Sequence, residues 1–97
     1  MDINELHEIC KKSTRNAFEE YKRLITVDLF PFNKELNDNY INQMSVEITA
    51  HVVKHMINKH NLSTYQLRFL DEVLSKYVLI AIKTANNYSK KLKLPIK

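Results

Sequence analysis

Between Leu62 and Leu92 the chain repeats apolar residues at steps of three and four: Leu67, Leu70, Leu74, Tyr77, Val78, Ala81, Ala85, Tyr88 and Leu92. That spacing marks one face of an α-helix and continues for about eight turns. A start signal stands in front of it. Ser63 can cap the first turn, Gln66 three residues on completes a capping box, and Leu62 with Leu67 can close a hydrophobic staple. The middle, Tyr77 to Ile82, is apolar all round, as a buried strand would be. The 3.6 period continues on both sides and no other segment could pair with a strand, so length assigns it to the helix.

The 97-residue chain contains no glycine, where average usage of about 7% would supply about seven. Glycine provides the positive-φ turns and close backbone approaches of hairpins, phosphate loops and dinucleotide folds. A chain without it is most readily built from long helices. The length suits one domain with a real but small core.

Two further helices follow from the same period. Helix 1 is expected over about 2–26, capped by Asp2 with Glu5 at the capping-box position. Ile3, Leu6, Cys10, Ala17, Tyr21, Leu24 and Ile25 form its inward stripe, which Ser13 and Thr14 interrupt. Its other side offers the i,i+4 pairs Glu8–Lys12, Arg15–Glu19 and Glu19–Arg23. Residues 27–38 break the pattern at Pro31. Leu29, Phe30, Phe32 and Leu36 are apolar enough to fold over the end of a bundle, with a short helix near Lys34 to Leu36. If exposed, Phe30 and Phe32 would make a docking anchor.

Helix 2 is expected over about 39–59, capped by Asn37 or Asp38. Ile41, Met44, Ile48, Val52 and Met56 form its main stripe, and Val46, Ala50, Val53 and Ile57 widen the apolar arc past half the circumference. A helix that apolar should be covered on two sides, leaving Gln43, Glu47, Lys54 and Asn58 to solvent. Helix 3 then spans about 64–91, with a basic tail over 92–97. The fold expected is all-α: an antiparallel three-helix bundle, or four with the short helix, dimerising through the long third helix.

The net charge of +4 is uneven, with seven Lys/Arg against two Asp/Glu in residues 63–97. Lys83, Lys90, Lys91, Lys93 and Lys97 carry most of that excess. Such a cluster suits a helix C-terminus, where the macrodipole favours cations, and it suits an acidic partner. The single cysteine, Cys10, reads as a packed thiol. No apolar run reaches the roughly 18 residues of a membrane span, and no signal-peptide pattern opens the chain, so the expected setting is cytoplasmic.

Candidate sites remain to be weighed. Glu47, His51, His55 and His60 form one candidate cluster, the first three at i, i+4, i+8 on helix 2. His51 and His55 could share a metal ion if another helix supplied a ligand such as Asp71 or Glu72. Packed or boundary histidines are the plainer reading, and no cofactor is expected. No serine stands in a nucleophile-elbow context, Cys10 has no patterned partner, and Asp71 and Glu72 point about 100° apart, so no enzyme is expected. The tyrosines fall on or beside inward stripes and read as packing residues. The run from Met56 to Leu70 resembles a helix-turn-helix motif, with Leu62, Leu67 and Leu70 at its apolar positions and His60 where the motif carries an apolar residue. That resemblance implies that Thr64, Tyr65, Gln66 and Arg68 face a DNA major groove. The preferred expectation is a non-enzymatic helical interaction or regulatory protein of inhibitor, immunity or accessory type. It would bind a protein partner through Phe30, Phe32, Lys83, Lys90, Lys91 and Lys93. A dimeric DNA-binding regulator and a metal-binding bundle are the alternatives.

Overall fold

A computed structural model of the protein describes residues 2–28 and 33–93, without the side chains of residues 27, 28, 92 and 93. Three α-helices account for nearly all of them: α1 (Ile3–Asp28), α2 (Lys34–Lys59) and α3 (Thr64–Lys93). No strand occurs among the described residues, and Val78 to Ile82 lie within α3. The molecule is a rod of 52 × 19 × 18 Å, because helices of 26, 26 and 30 residues lie lengthwise at about 1.5 Å per residue.

Side-chain pairs fix the topology. Residues 5, 13 and 21 of α1 meet residues 55–60, 51 and 37 of α2, so the numbering falls as it rises across the pair. Those two helices are antiparallel. His7 meets Tyr77 and Phe18 meets Tyr88, so α1 and α3 run parallel. The order is up–down–up. The α1–α2 contact is the most extensive of the three.

The termini obey local rules with two departures from expectation. Ser63 and Gln66 form the reciprocal capping box: the Gln66 N–H donates to Ser63 Oγ at 3.2 Å and the Ser63 N–H donates to Gln66 Oε1 at 3.0 Å. Asp2 caps α1 through its side chain, accepting from the Asn4 N–H at 2.9 Å. Glu5 does not close the capping box there; its carboxylate crosses to α2. The second departure is the start of α2. Asn33 is its cap, accepting from the Leu36 N–H at 3.0 Å, so neither Asn37 nor Asp38 caps the helix. The short helix expected near Lys34 to Leu36 is the first turn of α2 itself. Pro31 had pointed to a wide break, but a proline constrains its immediate neighbours and a new cap can follow within two residues. The connection shrinks from 27–38 to 29–33. At the other end α3 runs on to Lys93, past the 91 expected. Phe30 and Phe32 lie outside the described residues, as does 94–97 of the expected basic tail.

All three helices feed one core. Leu6, Cys10, Tyr21 and Ile25 of α1 are buried against Met44, Ile48, Val52 and Met56 of α2, with Leu70, Leu74, Ala81 and Ala85 of α3 closing it. Full burial of a large aliphatic side chain stabilises by about 1.5–3 kcal/mol. The α3 contribution becomes small in its second half, where Ala81 and Ala85 leave room for the rings of α1. Phe18 stacks on Tyr21 at 6.1 Å and meets Tyr88 edge-on at 6.0 Å. Lys22 lies over Phe18, 5.1 Å from the ring centre.

The buried Tyr21, Asn37, Ser13 and Ser89 side chains are paired, whereas the buried Thr14 Oγ1 has no hydrogen-bond partner among the described residues. Tyr21, 1% exposed, donates its hydroxyl to Asn37 Oδ1 at 2.5 Å and lies 3.3 Å from the Ala85 carbonyl oxygen. Burial raises its phenol to about 12. Ser13, expected to thin the packing, is buried and bonded to His51. Surface charges of α1 pair at i,i+3 as Glu8–Lys11, Glu19–Lys22 and Glu20–Arg23, in place of the expected Glu8–Lys12 and Arg15–Glu19 pairs. Both spacings put side chains side by side, and such exposed pairs stabilise weakly either way.

Tyr21→Phe keeps the ring and leaves Asn37, itself buried, without its hydroxyl donor. The expected loss is about 1–3 kcal/mol in urea-denaturation stability. A change smaller than about 0.5 kcal/mol would show that this hydrogen bond does not anchor the pair.

Candidate functional site

The polar groups that join α1 to α2 form three steps along the rod. At the top of α1, Tyr21 holds Asn37. In the middle, Ser13 Oγ and His51 Nδ1 are hydrogen-bonded at 2.5 Å. At the bottom, Glu5 receives three partners from the last turn and cap of α2. His60 Nε2 donates to Oε1 at 2.7 Å, Lys59 Nζ lies 2.8 Å from Oε2, and His55 Nε2 lies 3.4 Å from the same oxygen. The backbone explains the convergence. His60 is the C-cap of α2, with an extended conformation and its N–H bonded to the Met56 carbonyl, so its ring turns back toward the start of α1. Lys59 sits where the macrodipole favours a cation.

This cluster holds Glu5 ionised. Hydrogen bonding to Lys59, then to His60, lowers its carboxyl from the ordinary 4.5 to about 2. The histidines of the expected strip are thus divided. His51 turns to Ser13, and His55 turns to Glu5. The carboxylate comes from α1, whereas Asp71 and Glu72 are exposed on α3. No group of three or more His, Cys, Asp and Glu among the described residues is placed to hold a metal ion. The sequence carried a signal for the contact in Glu5, which had no i+4 cation to pair with. It carried none for its partners.

The Ser13–His51 pair brings a hydroxyl to an imidazole beside a surface groove of about 260 Å³ lined also by Asn16 and Glu47. Ser13 stands in the unbroken middle of α1. Backbone N–H groups there are committed to the helix, so none is left to stabilise an oxyanion. The bond works as a clamp between helices. Cys10 is fully buried, and burial raises its thiol to about 11, which keeps it protonated and inert.

The described residues of the other expected surfaces all lie on α3. Lys83, Lys90 and Lys91 are exposed on α3; Lys93 is in the last turn. Of the helix-turn-helix set, Thr64, Tyr65 and Arg68 are exposed, Tyr65 at 80%. Gln66 spends its side-chain oxygen on the capping box, which takes that acceptor away from base recognition. No helix is long and apolar enough to cross a membrane among the described residues.

The Glu5 cluster has a defined pH signature. Its carboxyl is lower in the folded chain than in the unfolded one, so the contact stabilises fully above about pH 4.5. It is lost as pH falls from 4.5 toward 2. Glu5→Gln should therefore unfold at lower urea than the parent near pH 6, and the two midpoints should converge near pH 2. A gap that stays constant across that window would assign the effect to packing rather than to charge. No protein-family model matches this chain, and no curated protein or solved structure matches it.

Proposed function

We propose that this protein is a non-enzymatic helical interaction module that docks an acidic surface of a protein partner along the outer edge of α3. One observation carries the reading. From Val73 to Lys93 the helix contains five lysines and no Asp or Glu. Lys76, Lys83, Lys90 and Lys91 are exposed and have no ion-pair partner among the described residues. The charges of α1 are, by contrast, largely neutralised by neighbours on the same helix. Lys76, Lys83 and Lys90 recur every seven residues and so form one stripe. The macrodipole accounts for lysines in the last turn; its effect fades within that turn and leaves Lys76 and Lys83 unexplained. In this reading the module acts as a homodimer, with α3 contributing to the contact. The exposed Thr64, Tyr65 and Arg68 at the start of α3 favour DNA binding as the second reading.

The triple variant Lys83→Glu, Lys90→Glu, Lys91→Glu tests the proposal. In an affinity pull-down from the native cell, the parent should retain an acidic protein, and the variant should retain about tenfold less or lower still. Its far-ultraviolet circular dichroism should be unchanged. Equal capture would overturn the electrostatic docking. Salt-titrated binding to random duplex DNA separates the second reading, since phosphate contacts weaken steeply as salt rises.

A further inference from the structure

The two flanks of α3 are unlike. Tyr77, Tyr88 and the Ala85 carbonyl meet α1, which identifies the flank turned that way. On α2 the α1 flank is identified by Asn37, His51 and His55. The opposite flank of α2 carries Val46, Thr49, Ala50, Val53 and Ile57. The matching flank of α3 carries Ser75, Val78, Leu79 and Ile82. These nine residues border the open side of the α2–α3 pair, the least extensive of the three helix contacts. None is charged, although 27% of the chain is.

The face is apolar as well as neutral. Val46 is 59% exposed, Ile57 50% and Leu79 66%. Val53, Val78 and Ile82 lie half-buried between them and pack on the core. On α2 the residues 46, 50, 53 and 57 follow steps of four, three and four, which is the spacing of a helix seam. The expectation that α2 would be covered on both sides therefore fails within one chain. Its second apolar strip is formed but uncovered, because a three-helix bundle gives each helix two neighbours spanning less than half its circumference.

We propose that a second copy of this chain covers this α2–α3 face, pairing it with itself across a two-fold axis. Three properties select a second copy as occupant. Two molecules of net charge +4 repel, and a contact centred on these uncharged residues, with the exposed Asp71 and Glu72 continuing the same flank of α3, avoids setting lysine against lysine at its middle. A two-fold contact must be self-complementary, which an uncharged apolar seam is and a lysine stripe is not. The nine residues span about 17 Å of the rod and form the apolar centre of the contact, and the polar surface around them on the 52 × 19 Å side brings the available area to roughly 1,000 Å², where a stable interface needs about 800 Å² per partner. Lys76 and Lys83, one turn either side of Leu79, lie at the rim of this contact, and Lys90 and Lys91 stay outside it, so the dimer presents them twice. The contact thus uses α2 as much as α3, where the sequence pointed to α3 alone.

The inference rests on the self-association proposed above, and sedimentation of the full chain over a micromolar-to-millimolar range separates the two. The parent should run at twice 11.5 kDa. Val46→Asp and Leu79→Asp should each weaken the dimer by tenfold or more and keep the helical circular dichroism. Ile80→Asp, on the flank toward α1 and 61% exposed, should leave the dimer intact. A monomer at every concentration would overturn self-association itself. A dimer unmoved by Val46→Asp, or weakened equally by Ile80→Asp, would overturn this face and leave self-association standing. Thiol labelling of Val46→Cys gives a second readout, since Cys10 is buried and contributes little background. Labelling should slow at concentrations where the dimer forms. An unchanged rate across the monomer–dimer transition would also overturn the face.

Discussion

The register between α1 and α2 is the constraint from which the remaining structure follows. Apolar stripes alone allow two helices to slide by a turn, since one aliphatic side chain replaces another at little cost. Polar groups do not slide. Tyr21 must find Asn37 because both are buried, and the buried Ser13 finds its partner in His51, which lies at the exposed edge of the pair. A shift of one turn would leave these groups unpaired at about 1–3 kcal/mol for each one buried. The Glu5 cluster adds a third fixed point at the far end of the pair. Together the three steps hold the most extensive helix contact in the molecule at one alignment.

With α1 and α2 aligned, the position of α3 follows from shape. The Phe18, Tyr21 and Tyr88 rings occupy one end, where α3 offers Ala81 and Ala85. Leu70 and Leu74 fill the other end. Placing α3 in this groove turns one flank toward α1 and leaves the other beside the open side of α2. The lysine stripe and the neutral seam therefore come to lie on adjoining arcs of the same helix. A single helix can present both because they occupy different arcs of its circumference.

Several features were legible in the amino-acid sequence because they are local. The capping box at Ser63 and Gln66 involves neighbours three apart, and it forms as expected. The all-helical architecture followed from spacing, helped by the absence of glycine. The start of α2 is not legible in the same way, because Pro31 signals a break without saying where the next helix begins; Asn33 rather than Asn37 is the cap. The roles of Asn37 and Ser13 were hidden because each reads locally as a cap or an interruption. Their partners, Tyr21 and His51, are 16 and 38 residues away. Glu5 likewise reads locally as a capping residue of its own helix, while the stronger attraction lies across the bundle.

What this chain settled by itself is the list of rods and the faces they bury, because helical period and capping depend on residues within a turn of one another. The lysine excess of the last third was equally plain in one dimension. Tertiary structure alone decided which histidine meets which acid or hydroxyl, and which apolar strips receive a neighbour. Those outcomes depend on how three cylinders can surround a common axis. Such an arrangement covers about one side of each, so the second strip on α2 stayed open although its residues are as apolar as those inside.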